Sequence, residues 1–273
     1  MRKRICLPIS VLNEAEALDK FLKYHFWADE IIAFDSGSTD KTEEICNHYG
    51  RRVIKCPLNG NYNQRAAFML TQTKADWVLF IAPDEFVTPE LKVEIDKILE
   101  SDDDTYQAYE NKRVNFFMDK PLRYGGWSGD GLKFFKRDAV SFVGDSYHEK
   151  PIVKGRIGRL NGEVYHYPNP NIYWVIQKLN YSSEFDLNSY YEKYGVLSPG
   201  EFKWLIITKP FKIFWKCYIK KKGYKDGLYG LIYAALSWAV DVIRICKYGE
   251  KYILKNPNLL VKEKLSDPWE CRK

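Results

Sequence analysis

The stretch Ile5-Cys6-Leu7-Pro8-Ile9-Ser10-Val11-Leu12-Asn13-Glu14 decides the fold, because a short apolar run stops abruptly on a polar, acidic pair. Ile5 to Leu12 reads as a buried strand. Outward from it, Ala15 to Phe26 has a helical pattern, Glu30 to Phe34 is a second strand and Lys41 to Tyr49 a second helix. Arg52 to Lys55 follows as a short strand, Gln64 to Gln72 as a helix, Trp77 to Ile81 as a strand and Pro89 to Leu99 as a helix. Strand–helix alternation at this spacing predicts βαβ units, hence an α/β fold whose mixed, mostly parallel sheet is flanked by helices. In such sheets ligands sit off the carboxyl ends of the strands. The clusters Asn13-Glu14, Asp35-Ser36-Gly37-Ser38-Thr39-Asp40 and Asp84-Glu85 each follow a strand directly, so they are expected to meet in one crevice. Acidic residues gathered there do not attract phosphate by themselves; a metal ion or the donor groups of a nucleoside is the natural partner.

Residues 101–170 change character, with aromatic segments such as Val114-Asn115-Phe116-Phe117 and Leu132-Lys133-Phe134-Phe135 separated by glycine turns. Gly125-Gly126-Trp127-Ser128-Gly129-Asp130-Gly131 is a loop by composition. This region is expected to extend the sheet and build a second wall of the cleft. A helical pattern returns from Ile172 to Tyr194, and Ser198-Pro199-Gly200 marks a break. The chain has 273 residues, 45% hydrophobic and 29% charged, which excludes disorder and low complexity. Its net charge of +6 is uneven: residues 203–273 carry 16 Lys/Arg against 6 Asp/Glu, a net +10, which leaves −4 for the rest. That step predicts a catalytic domain over residues 1–200 and a basic helical appendage over 201–273. The longest charge-free stretch of the C-terminal half, Gly227 to Val240, is 14 residues long, short of the roughly 20 that cross a bilayer as a helix. No signal-peptide pattern follows Met1-Arg2-Lys3-Arg4, so a cytoplasmic location is expected. The six cysteines show no C-x-x-C pair and read as reduced, packed thiols.

Ile9-Ser10-Val11-Leu12-Asn13-Glu14, Trp27-Ala28-Asp29-Glu30-Ile31-Ile32, Asp35-Ser36-Gly37-Ser38-Thr39-Asp40 and Asp76-Trp77-Val78-Leu79-Phe80 with Asp84-Glu85 together resemble family 2 glycosyltransferases. Gly125-Gly126-Trp127, Tyr147-His148-Glu149 and Gly162-Glu163-Val164-Tyr165-His166-Tyr167 narrow the resemblance to the lipopolysaccharide-core glucosyltransferase group. The likeness implies a GT-A fold, the Rossmann-like fold of nucleotide-diphospho-sugar transferases. It also implies transfer of a sugar, with inversion, from a nucleoside-diphosphate sugar, a UDP-sugar foremost, to a hydroxyl of a glycan or lipid-linked acceptor.

That chemistry has three requirements: a nucleoside pocket, a neutraliser for the departing diphosphate, and a carboxylate that takes the acceptor proton. For the pocket, the resemblance points to Asn13, Glu14, Asp35 and Ser36. A strand-end carboxylate such as Asp35 can accept from a base N–H or a ribose hydroxyl, whereas Asp40 reads better as a cap of the helix beginning at Lys41. For the diphosphate, the family's D-x-D element stands here as Ala82-Pro83-Asp84: the second carboxylate is kept, the first is alanine. Asp84, with Glu85 beside it, is the expected Mg2+ or Mn2+ site, and Arg65 opens a helix where phosphate could meet it; a solvated arginine is the other reading. For the proton, the resemblance points to Glu149, with Asp130 as rival. His148 could orient the carboxylate or contact the substrate, and His166 reads as a packed histidine. Trp127 could stack on an acceptor sugar, or simply pack in the core. Ala82 also motivates the contrary expectation of a sugar-nucleotide-binding or scaffold protein without catalysis.

In the basic segment, Lys209, Lys212, Lys216 and Lys220 are spaced to share one helix face, with Phe211, Phe214, Trp215 and Tyr218 over much of the remainder. This is an interfacial pattern, and an anionic membrane surface is the expected partner, on the cytoplasmic face. Lysines interleaved with aromatics also occur on nucleic-acid surfaces, but no such module accompanies them, so no nucleic-acid partner is expected.

Overall fold

The computed structural model describes residues 2–56, 62–143, 151–169 and 171–254. Its elements begin β1 (Ile5–Val11), α1 (Ala15–Tyr24), β2 (Glu30–Asp35), α2 (Thr42–His48), β3 (Arg52–Lys55), α3 (Tyr62–Thr71) and β4 (Trp77–Leu79). They continue through β5 (Glu85–Val87), α4 (Pro89–Glu100), β6 (Ala108–Phe117), β7 (Lys120–Leu122), β8 (Gly129–Lys136), β9 (Val140–Phe142), β10 (Pro151–Val153) and β11 (Ile157–Asn169). Three helices follow: α5 (Ile172–Tyr194), α6 (Pro199–Trp215) and α7 (Gly227–Tyr252). The chain forms two compact units, one from Met1–Val114 and Gly129–His166, the other from Asn115–Ser128 and Tyr167–Arg272. Residue 201, where the basic appendage was expected to begin, lies inside the second unit, in the first turn of α6.

The main sheet has the order β3-β2-β1-β4-β8-β6-β11-β5, with β7 turned back on β6. β1 pairs in parallel with β2 and β4, and β2 with β3. β8 is antiparallel to β4 and β6, and β11 to β5. The sheet is thus mixed, as expected, with its parallel pairings gathered in the N-terminal half. β1 is buried on both faces: Ile5, Leu7 and Ile9 join one cluster with Leu18, Phe21, Trp77 and Ile95, while Cys6 joins Ile32, Phe34 and Met69. A strand covered on both sides must be apolar almost throughout, which is why this run carries no alternation.

Local chemistry sets the helix ends. Thr88 caps α4, its hydroxyl accepting from Leu91 N at 3.3 Å, with Pro89 in the first turn. Ser198 and Glu201 form a reciprocal capping box at the start of α6. Gly195, with φ +62°, ends α5 where a side chain would be strained.

In the second unit, Lys209 departs from its expected place on a solvent-facing stripe. It is half-buried, 3.1 Å from Asp241 Oδ1 and bonded to the Tyr190 hydroxyl. Burial lowers its pKa, against the opposing pull of Asp241. The stripe also loses its regular period after Trp215, because Lys216–Lys220 forms a wider π-helical turn. α6 also exposes apolar side chains: Trp204, Ile207, Phe211 and Trp215, spaced to share a face, are 57–69% exposed. The helical stretch Gly223–Tyr252, 30 residues with a most apolar window of mean hydropathy 1.4, is long and apolar enough to cross a membrane by length and composition. A count of charge-free residues did not single it out, because Asp241 and Arg244 interrupt that stretch.

Candidate functional site

β2 and β4 each pair in parallel with β1, so the loops after the three strands leave one edge of the sheet, and hydrogen bonds knit the first two loops together. Asn13, held at φ +53°, accepts from Thr39 N at 2.8 Å, and its own N–H donates to Ser38 Oγ at 3.0 Å. Asparagine tolerates that left-handed backbone better than most residues. Glu14 N donates to Thr42 Oγ1 at 3.2 Å, and Ser36 N to the Val11 carbonyl at 3.0 Å. Asp40 accepts from Thr42 N at 3.0 Å and from Ala15 N at 3.1 Å, serving donors at the starts of two helices.

Asp35 is 1% exposed at the end of β2. One oxygen accepts from Ser38 Oγ at 2.6 Å, Ser38 N at 2.8 Å and Gly37 N at 3.2 Å; the other accepts from Lys55 Nζ at 2.6 Å. Burial opposes its charge, but the Lys55 and Ser38 hydrogen bonds outweigh burial and hold the carboxyl below its ordinary range. Asp35 therefore shapes its loop as an anion. Arg65 reaches the same edge from α3, its Nη1 donating to Ser10 Oγ at 2.8 Å.

After β4, Ala82-Pro83-Asp84-Glu85 makes a turn closed by Glu85 N to the Ala82 carbonyl at 2.9 Å. Pro83 suits the second position of that turn. The turn separates the two neighbouring carboxylates. Asp84 stays partly exposed, with Oδ2 3.3 Å from His166 Nε2. Glu85, 1% exposed, accepts from Ala82 N at 2.9 Å and from Arg113 Nε, with Lys133 Nζ at 3.7 Å. The expected pairing of Asp84 with Glu85 as metal donors is thus replaced: Glu85 is held by cations, and the group facing Asp84 is His166. Among the described residues no three His, Cys, Asp or Glu cluster as a metal cage. The Asp84 carboxylate suits Mg2+ or Mn2+ with remaining ligands from a diphosphate and water, and the imidazole beside it fits the softer Mn2+ better than the oxygen-seeking Mg2+.

His166, expected as a packed histidine, is also the imidazole beside Asp84. It pairs across the strands with Glu85 in the β11–β5 register. Its signal in the sequence was its place in Gly162-Glu163-Val164-Tyr165-His166-Tyr167, which does not say which carboxylate it meets.

Asp130, at the start of β8, is exposed, both its oxygens 2.8 Å from Arg159 Nη2. Trp127 belongs to the second unit, stacked on Tyr233 at 5.3 Å and 13° and packed with Phe117 and Leu122. Gly125 and Gly126, both at positive φ, lie against Tyr233 and Lys221 of the same unit. His148 and Glu149 lie outside the described residues.

Residues 9–139 match the family described as Glycosyl transferase family 2. The chain is 26% identical to an uncharacterized glycosyltransferase of Rickettsia felis over 257 residues, covering 90% of this chain and 88% of that one. A second uncharacterized glycosyltransferase, from Rickettsia bellii, is 27% identical over 273 residues, 94% and 90% of the two chains. Among solved structures, the mannosyltransferase PcManGT of Pyrobaculum calidifontis, in complex with GDP-Man and Mn2+, superposes with a TM-score of 0.51 at 12% identity, over 91% of this chain and 87% of that one. A likeness at that identity speaks for the fold, and the fold is GT-A.

Proposed function

We propose that this chain, whose residues 9–139 match the family described as Glycosyl transferase family 2, transfers a sugar, with inversion, from a nucleoside-diphosphate sugar to a hydroxyl of a glycan or lipid-linked acceptor. The observation that carries the proposal is the Asp84–His166 pair, 3.3 Å apart, at the turn where the motif resemblance puts a diphosphate-binding carboxylate. A UDP-sugar is the donor we favour, and lipopolysaccharide-core or other surface-glycan synthesis the setting, both on the motif resemblance.

Each group has a role under this reading. The knotted loops around Asn13, Glu14, Asp35 and Ser36 frame the nucleoside, with the charge of Asp35 fixed by Lys55 and Ser38. Arg65, tethered to Ser10, is positioned to meet phosphate. Asp84 and His166 would hold Mg2+ or Mn2+ against the diphosphate. Bound there, the ion offsets the charge that builds on the leaving group. Glu149 is assigned the acceptor proton; Asp130 is the weaker candidate, because Arg159 already engages both its oxygens.

Membrane attachment through the second unit is part of the proposal, as a peripheral protein on the cytoplasmic face. Exposed Trp204, Ile207, Phe211 and Trp215 are bordered by exposed Lys203, Lys212, Lys216 and Lys220, the side chains that an interface with anionic lipid takes up.

The test is donor stabilisation and turnover. A UDP-sugar should raise the melting temperature more with Mn2+ than without, and Asp84→Asn and His166→Ala should remove the Mn2+-dependent part. Glu149→Gln should keep donor binding while lowering turnover by on the order of 100- to 10,000-fold. The contrary reading, a sugar-nucleotide-binding protein without catalysis, is motivated by Ala82 in place of the first family carboxylate. It is the one supported if donors bind and no metal gives turnover.

A further inference from the structure

The second unit holds a half-open cavity of about 330 Å³ among α5, α6 and α7. Its wall is largely apolar, with Phe117, Val175, Leu179, Ile213, Leu236 and Val240, and the stacked Trp127 and Tyr233 rings also line it. The volume lies at the low end of small-molecule sites, and is roughly twice that of a dry apolar cavity able to take benzene.

A carboxylate on this wall is incompletely used. Asp241 is 2% exposed. Its Oδ1 accepts from Tyr190 Oη at 2.6 Å and lies 3.1 Å from Lys209 Nζ, whereas Oδ2, fully buried, has no hydrogen-bond partner among the described residues. A buried acceptor left in that state is costly, so it marks where a donor belongs. Lys209 already offsets the carboxylate's charge, which removes the need for a cation; Lys178 and Arg244 also line the pocket, but Oδ2 is an acceptor and is completed by a donor, which an ionised acid head lacks. A neutral hydroxyl supplies that donor.

We propose that the second unit holds a binding site for a hydroxyl-bearing amphiphile, with the apolar chain filling the cavity and the hydroxyl donating to Asp241 Oδ2. The site uses none of the residues assigned to the sugar donor and does not rest on the transferase reading. Cys217, half-buried on the same wall, reports on occupancy, and exposed Cys246 serves as the internal control.

The experiment measures N-ethylmaleimide alkylation rates of both cysteines by peptide mass spectrometry on the full chain, with 1-decanol, 1-methoxydecane or decanoate as probe. Saturating 1-decanol should slow Cys217 by roughly fivefold or more and leave Cys246 unchanged. The ether, which lacks the donor, and the anionic decanoate should each protect several-fold less. Leu179→Trp, which fills the cavity without touching Asp241, should abolish protection, and Asp241→Asn should narrow the gap between alcohol and ether. No protection of Cys217 in the wild type, or equal protection by alcohol and ether, overturns the proposal without reference to any variant. Preferential protection by decanoate would overturn the choice of a neutral head, and protection that survives in folded Leu179→Trp would overturn the location.

Discussion

Replacing Glu85 by alanine tests whether the buried carboxylate is an electrostatic anchor of the site. In the folded chain it accepts from Arg113 Nε and from Ala82 N at 2.9 Å, with Lys133 Nζ at 3.7 Å. Breaking a fully buried ion pair costs about 3–5 kcal/mol. Arg113 and Lys133 keep 33% and 29% of their side-chain surface exposed, so water recovers part of that loss. The unmatched Ala82 N–H adds about 1 kcal/mol. The expected destabilisation is about 3 kcal/mol, a fall of about 6–12 °C in melting temperature for a chain of this size. Glu85→Gln keeps the shape but removes the charge, and isolates the pH dependence. Burial raises the Glu85 pKa, but Lys133, Arg113 and His166 outweigh burial and hold it below its ordinary value of 4.5. A depressed carboxyl stabilises the fold above its unfolded pKa and loses that contribution as pH falls through the folded value. The gap between wild type and Glu85→Gln, measured by urea denaturation, should therefore be full at pH 6 and close well below pH 4.5. A loss under about 1 kcal/mol for Glu85→Ala, or a gap that does not close in acid, would refute this account and return Glu85 to the set of available metal donors.

Gly162→Ala should cost about 2–3 kcal/mol in urea denaturation, because its Cβ would lie 2.3 Å from the backbone of Leu91, which cannot yield as a side-chain tip can. His25, fully buried with Nδ1 3.1 Å from the Phe21 carbonyl, has its pKa lowered to about 4 by burial. The unfolded chain takes up that proton first, so the wild type should lose about 3 kcal/mol between pH 6.5 and pH 4, a loss absent from His25→Phe. Ser198→Ala should lower stability by about 1 kcal/mol through the α6 capping box, again read from the urea midpoint. The triple change Trp204→Ser, Phe211→Ser and Trp215→Ser should abolish co-sedimentation with anionic vesicles; unchanged sedimentation would remove α6 as the lipid-facing element.

The parallel half of the sheet was legible because its signals are local. An apolar run buried on both faces, a polar pair at its end and a helical period after it all lie within about ten residues, and β1, β2 and β3 begin where the sequence placed them. The family motifs carried the strand-end positions of Asn13, Asp35 and Asp84 in the same way. His166 was not legible as a partner of Asp84, since their meeting depends on β11 pairing antiparallel with β5 across some eighty residues of chain. Glu85 and Lys209 were misplaced for a related reason: adjacency in sequence, or a shared helical face, does not reveal which distant charge lies opposite. Arg113, Lys133 and Asp241 supply those charges, and each comes from another element. Sequence by itself thus determined which segments become strands and helices and which strand ends carry polar groups, because those outcomes follow from periodicity and backbone preference over a few residues. Only the tertiary structure decided which carboxylate stays open, which is neutralised and which aromatic packs, because those outcomes depend on burial and on partners brought together through space.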